Sequence, residues 1–98
     1  MKDLISGLNK TFESRIRLGI MSVLMVNDSF DFNGLKETLG VTDGNLASHL
    51  KALEEKGLIK VNKQFLGRKP NTTYSATDEG IKQFQSHLKS LENLINTK

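Results

Sequence analysis

The sequence predicts a mainly α-helical domain with one small β-hairpin. Apolar residues recur at the spacing of an amphipathic helix near residues 11–26, 42–55 and 77–97. Between the last two stretches, two short β-branched and aromatic segments enclose a loop with glycine and proline, a pattern typical of a hairpin. The chain of 98 residues suffices for one domain. We expect it to consist of a core at 11–76 and a terminal helix at 77–97.

The composition excludes several classes of protein. Without cysteine, the chain has no disulfide framework, thiolate metal site or cysteine nucleophile. His49 and His87 are too far apart in sequence to suggest a metal cluster. No apolar run approaches the ~20 residues that span a bilayer, and the N-terminus is too polar for a signal peptide. We therefore expect a cytoplasmic protein with no metal and no cofactor.

An enzyme has almost no support in the sequence. There are no paired carboxylates, no nucleophile with a base and no loop that would cradle phosphate. Ser48 and His49 are neighbours in a predicted helix and so point in different directions. We expect no catalytic residue.

The positive charge of the chain is concentrated in one segment. The net charge is +3, residues 1–40 carry five basic and five acidic side chains, and residues 77–98 carry three of each. From Lys56 to Ala76 there are five basic residues and no acidic one. This asymmetry fits a polyanion that faces part of the domain, although a short basic loop can also be merely solvated.

The first half of the chain predicts two helices around a short extended segment. The first helix is expected from Thr11 to Val26, with Arg15 and Arg17 either beside a phosphate or simply solvated. Ser29–Phe32 alternates polar and aromatic residues and predicts a short strand. Asn33 is the expected N-cap of a short second helix that ends near Leu39.

The stretch from Val41 to Ile59 predicts a helix with one buried and one open side. The stripe expected to be buried consists of Leu46, Leu50 and Leu53. The opposite side carries mainly short or polar residues: Asn45, Ser48, Lys51, Ala52 and Glu55. Thr42 and Asp43 are both N-cap types, and Gly57 suits a left-handed C-cap. Such a helix of roughly 13 residues can place its N-terminal half in the DNA major groove. With the short helix before it, it forms a predicted helix-turn-helix unit.

The segment after this helix predicts a hairpin with a basic tip. Leu58–Phe65 and Thr72–Ala76 are the expected strands, and Gly67–Asn71 is the expected loop. A hairpin that directly follows a recognition helix is the wing of a winged helix. We expect Arg68 and Lys69 at its tip to reach phosphates or the adjacent minor groove; the alternative is a purely structural hairpin with solvated charges.

The last helix carries a regular apolar stripe. Thr77 is its expected N-cap, and Asp78 and Glu79 complement the helix dipole. The stripe recurs at spacings of three and four residues, typical of a helix pair: Ile81, Phe84, Leu88, Leu91 and Ile95. We expect this stripe to form a homodimer interface. The alternative is that it packs back on the first helix.

Three segments resemble winged helix-turn-helix transcription regulators of the MarR/ArsR kind, over about residues 11–96. L-A-S-H-L-K-A-L-E-E-K-G-L-I (Leu46–Ile59) resembles the recognition helix of that family. G-R-K-P-N-T-T-Y-S-A-T-D-E-G (Gly67–Gly80) resembles the wing, its second strand and the start of the final helix. S-R-I-R-L-G-I-M-S-V-L (Ser14–Leu24) is similar to the first helix. Ala76 departs from the usual leucine, and the metal sites of metal-sensing members are absent.

The resemblance implies a homodimer that presents two recognition helices to successive major grooves, roughly 34 Å apart. We expect the base edges to be contacted by Asn45, Ser48 and Lys51. The helix N-terminus, formed by Thr42, Asp43 and Gly44, would bind a phosphate. His49 is ambiguous between packing and phosphate binding. Sequence-independent affinity would come from Lys60, Lys63, Arg68 and Lys69.

The alternative is a winged helix that binds other proteins and not DNA. The operator, the regulated genes and any small-molecule effector are not predicted.

Overall fold

The computed structural model describes residues 3–97. The helices are α1 (Arg15–Met25), α2 (Phe32–Leu39), α3 (Asp43–Glu55) and α4 (Asp78–Ile95), and a short 3-10 turn, Lys10–Phe12, precedes α1. The strands are β1 (Phe30–Asp31), β2 (Ile59–Leu66) and β3 (Lys69–Ala76). The predicted fold class, mainly α-helical with a small hairpin and a C-terminal helix, is confirmed. No helix among the described residues is long and apolar enough to cross a membrane.

Side-chain caps determine where the helices begin. The capping residues are Ser14, Asp31, Thr42 and Thr77. Two predicted boundaries are wrong. Helix α1 starts at Arg15 and not at Thr11, because the chain forms a separate 3-10 turn before Ser14 accepts from the Arg17 N–H. Helix α2 starts at Phe32, because the Asp31 carboxylate, and not Asn33, caps it by accepting from the Gly34 N–H at 2.8 Å.

The three strands form an antiparallel sheet in the order β1-β3-β2. Strands β2 and β3 pair from Ile59–Ala76 to Leu66–Lys69, so the hairpin turn contains only Gly67 and Arg68. The predicted five-residue loop was therefore too long. Gly67 has a φ of +67°, which allows the tight turn. Pro70 is tolerated within β3 because β1 covers that strand only near Tyr74, which leaves one side open at the proline.

The core lies between α1 and α3 and is closed by α2, the base of the hairpin and α4. Its fully buried large side chains are Phe12, Ile20, Met21, Leu35, Leu46, Leu53, Leu58 and Phe84. The predicted leucine stripe of α3 is buried as expected. This burial fixes the rotation of α3 about its own axis, so that the polar side of the helix faces outward.

The C-terminal end of α3 serves as a docking point for α4. Gly57, with a φ of +73°, ends α3, and the Leu58 N–H donates to the Leu53 carbonyl at 3.0 Å. The Thr77 hydroxyl donates to the Gly57 carbonyl at 2.7 Å, and the Thr77 N–H donates to the Leu58 carbonyl at 3.0 Å. Gly80 lies so close that a Cβ there would be 1.9 Å from the Leu58 carbonyl oxygen. The approach of α4 to α3 therefore requires glycine.

The apolar stripe of α4 is divided between the core and the surface. Phe84 is only 1% exposed, and its ring meets that of Phe12 edge to face with centroids 5.1 Å apart. The prediction that Phe84 contacts a second subunit is therefore wrong, since its own chain covers it. Ile81 is half-buried beside Leu24 and Ala76. The three remaining members of the stripe are exposed: Leu88, Leu91 and Ile95.

Candidate nucleic-acid interface

Helix α3 presents a polar outer face at its N-terminal half. Asn45, Ser48 and Lys51 are all exposed, on the side opposite the buried leucines. The Thr42 hydroxyl caps the helix by accepting from the Asn45 N–H at 3.2 Å. Within the described residues, the Asp43 and Gly44 N–H groups have no hydrogen-bond partner. Two backbone donors at the positive end of the helix dipole are thus open to an anion.

The Asp43 carboxylate is engaged inside the helix-turn-helix unit. It lies 2.8 Å from the Lys36 ammonium of α2. Both side chains are substantially exposed, so this pair contributes little stability. It does link the first turn of α3 to α2. Of the groups on Asp43, the backbone N–H is therefore the one that suits a phosphate.

His49 is held at the edge of the outer face by a residue of α1. The Arg17 Nε–H donates to His49 Nδ1 at 2.9 Å. Burial, and secondly the positive charge of Arg17, lower the pKa of His49 below its ordinary value of 6.5. The ring is therefore neutral at pH 7. Because Nδ1 accepts the hydrogen bond from Arg17, the N–H of the neutral ring is on Nε2, which can donate. Among the described residues, every buried polar side-chain atom has a hydrogen-bond partner. The Nε2 atom of His49 has no such partner, so it is not buried and is accessible to solvent.

A groove separates α3 from the hairpin. Its volume is about 330 Å³, with Lys51 on the α3 side and Lys63 and Thr72 on the hairpin side. Tyr74 and Glu54 also line it. Burial, and secondly the nearby Glu54 carboxylate, raise the pKa of Tyr74, so its phenol stays protonated and can donate a hydrogen bond. The two lysines make the rim of this groove cationic.

The hairpin carries the other basic residues that were predicted to contact DNA, but they do not all lie on the same face of the hairpin. Lys63, Arg68 and Lys69 are exposed toward or at the tip. Lys60 is also exposed, but side chains alternate along a strand, so it lies on the face opposite Lys63. The structure thus brings Lys63 to the groove beside α3 and does not bring Lys60 there.

Two features of this surface have no signal in the sequence. The contacts of Arg17 with His49 and of Lys36 with Asp43 join side chains from different helices. Neither pair is recognisable from spacing, because only the packing angle of the helices brings the partners together. Among residues 3–97, no group of three or more metal-binding side chains lies close enough to hold a metal ion.

Comparison with known proteins gives one coherent result. A family model described as a winged helix DNA-binding domain matches residues 16–95. The chain is 37% identical over 79 residues to the uncharacterized protein MJ0432 of Methanocaldococcus jannaschii. The matched region covers 81% of this chain and 86% of that protein. It is 33% identical to a transcriptional regulator homologue from Pyrococcus horikoshii, with a TM-score of 0.78, over 93% of this chain and 95% of that one.

A further structural relative extends the comparison to a named regulator family. A protein of Enterococcus faecalis described as a transcriptional regulator of the MarR family is 25% identical, with a TM-score of 0.70, over 93% of this chain and 77% of that one. Both structural relatives are described as regulators of transcription and not as enzymes. The predicted resemblance to winged helix-turn-helix regulators is confirmed. With its four helices and hairpin arranged as in a winged helix, the chain belongs to the winged helix DNA-binding domain family.

Proposed function

We propose that this protein is a sequence-specific regulator of transcription that binds double-stranded DNA as a homodimer. In each subunit α3 enters the major groove, and the wing contacts the backbone or the adjacent minor groove. Asn45, Ser48 and Lys51 face the base edges, where asparagine pairs with adenine and lysine with guanine. The free N–H groups at residues 43–44 receive a phosphate.

One observation supports this proposal most strongly. The polar outer face of α3 lies between two sets of donors, Arg17 with His49 on one side and the lysine-rimmed groove on the other. A helix lying in the major groove has a phosphate backbone along each side, and this arrangement supplies donors to both. A helix that only supports the core would not need its exposed face bordered in this way.

The homodimer is proposed from the exposed apolar surface of α4. Leu88, Leu91 and Ile95 are 41%, 42% and 75% exposed, in one row along the helix. The N-terminal segment lies beside this row, because the Asn9 N–H donates to His87 Nδ1 at 2.9 Å and Gly7 lies against Ser90. That segment also carries an exposed apolar residue, Ile5, which is 65% exposed. A two-fold dimer would pair this row with the same row of a second copy.

The test is a titration of duplex DNA at several salt concentrations, together with selection of bound sequences from a random duplex pool. We expect affinity to fall steeply as salt rises, and the selected sequences to be pseudo-palindromic with half-sites one helical turn apart. Absence of binding at low salt would refute the proposal. It would favour the alternative, a winged helix that binds another protein.

A matched variant separates base reading from backbone binding. Asn45→Ala should reduce the preference for the selected sequence over a scrambled one, by about 1–3 kcal/mol for a lost bidentate contact. Ser86→Ala, on an exposed position of α4, is the control that should leave binding unchanged. An unchanged preference in Asn45→Ala would remove that residue from the reading surface.

A further inference from the structure

The outer half of the hairpin exposes an aromatic ring on the face that lines the groove beside α3. Phe65 is 72% exposed. In the register of the strands, Lys63 lies opposite Thr72 and Phe65 lies opposite Pro70. Lys63 and Thr72 both line the groove. Because side chains alternate between the faces of a strand, Phe65 and Pro70 share that face and continue it outward.

This apolar pair lies beyond the reach of the core. Along the same face of β2, Ile59 is buried, Val61 is half-buried, and Lys63 and Phe65 are exposed. The ring therefore contributes nothing to the packing of α3 against the hairpin. An exposed phenylalanine paired with a proline, on the face that continues the groove, is available to contact another molecule.

The surrounding charges favour duplex DNA over a protein as the molecule that covers the pair. Lys63 is exposed on the same face as this pair, and Arg68 is exposed in the adjacent turn. No acidic residue occurs between Lys56 and Ala76. An apolar site on a protein partner would not need this set of cations. The minor groove of DNA has a phosphate backbone on each side, and minor-groove proteins commonly place Phe or Pro against its base steps between cationic contacts.

We propose that Phe65, supported by Pro70, contacts the minor groove of the duplex that α3 binds, as an apolar anchor at the outer end of the wing. The proposal rests on the proposed function, because it requires the same duplex. It adds a contact whose strength does not depend on the phosphate charge. Phe65 would contribute affinity, whereas Lys63, Arg68 and Lys69 would contribute the dependence on salt.

The test compares Phe65→Ala with Leu66→Ala on the duplex recovered by selection. Leu66 is the matched control, because it is adjacent, 62% exposed and on the opposite face of β2. We expect Phe65→Ala to weaken binding about tenfold, the ~1.4 kcal/mol that roughly 60 Å² of apolar burial supplies. The slope of affinity against salt should not change. Leu66→Ala should bind like the wild type.

A second measurement tests the placement in the minor groove. Inosine in place of guanine at the base pairs under the wing removes the amino group that G·C pairs present in the minor groove. We expect this change to strengthen binding of the wild type more than binding of Phe65→Ala, since the amino group obstructs the ring. An equal effect on both proteins would overturn the minor-groove placement.

Several outcomes would overturn the proposal while the proposed function stands. Wild-type affinity in Phe65→Ala would do so, and so would an equal loss in Leu66→Ala, which would indicate a general effect at the tip. A change of oligomeric state in Phe65→Ala by light scattering would show that a second copy covers the ring. Failure of the wild type to bind any duplex would instead refute the proposed function itself.

Discussion

Because α4 packs so closely on the end of α3, we expect one added methyl group at Gly80 to lower the stability of the domain substantially. In Gly80→Ala the new Cβ would lie 1.9 Å from the Leu58 carbonyl oxygen, whereas ordinary contacts begin at 3.4 Å. The obstacle is backbone, so no side-chain rotation relieves it. The start of α4 must therefore retreat by about 1.5 Å, a shift of the size that overpacked sites are forced to make. That shift breaks the two hydrogen bonds from Thr77 to Gly57 and Leu58.

The expected loss of stability follows from these contacts. Two hydrogen bonds contribute about 1 kcal/mol each, and strain from overpacking costs a further ~1–3 kcal/mol. Alanine returns about 1 kcal/mol through its higher helix propensity. The net destabilisation is about 2–4 kcal/mol, which lowers the melting temperature of a domain of this size by roughly 10–20 °C.

The assay is urea and thermal unfolding followed by circular dichroism, at one fixed protein concentration because dimerisation affects apparent stability. Gly44→Ala is the matched control, since Gly44 is also helical and a Cβ there would have nothing within 4 Å. It should be as stable as the wild type or more stable by up to ~1 kcal/mol. A Gly80→Ala protein no less stable than the wild type would refute the reasoning.

Three further predictions concern the surfaces of the domain. Leu88→Glu with Leu91→Glu should give monomers by light scattering, because charge cannot be buried in the apolar interface; a persisting dimer would place the interface elsewhere. Arg68→Ala with Lys69→Ala should weaken binding to all sequences alike and reduce the dependence on salt; an altered sequence preference would show that the tip reads bases. The pKa of His49 is lowered in the folded protein, so the unfolded chain binds its proton more readily. The stability contributed by the neutral ring is present above pH 6.5 and lost as the pH falls below it. Between about pH 7.5 and 5.5, the stability of His49→Gln should therefore fall less than that of the wild type. An identical pH dependence in the two proteins would contradict the lowered pKa of His49.

Much of the fold was predictable because local patterns and tertiary packing agree. The leucine stripe of α3, the threonine caps and the glycine at residue 57 each act within one or two helical turns, and the structure has them as expected. The errors lie where two local signals compete. Asp31 and Asn33 are both good N-caps, and only the pairing of β1 with β3 places Asp31 at the start of α2.

The sequence by itself determined that α3 has one apolar and one polar side and that basic residues cluster after it. These properties depend on residue type and spacing, which are fixed before the chain folds. Only the tertiary structure decided which of those residues act together. It buried Phe84 in its own chain and joined Arg17 to His49. Such relations depend on the angles at which helices and strands pack, and these angles are set by contacts between residues distant in sequence.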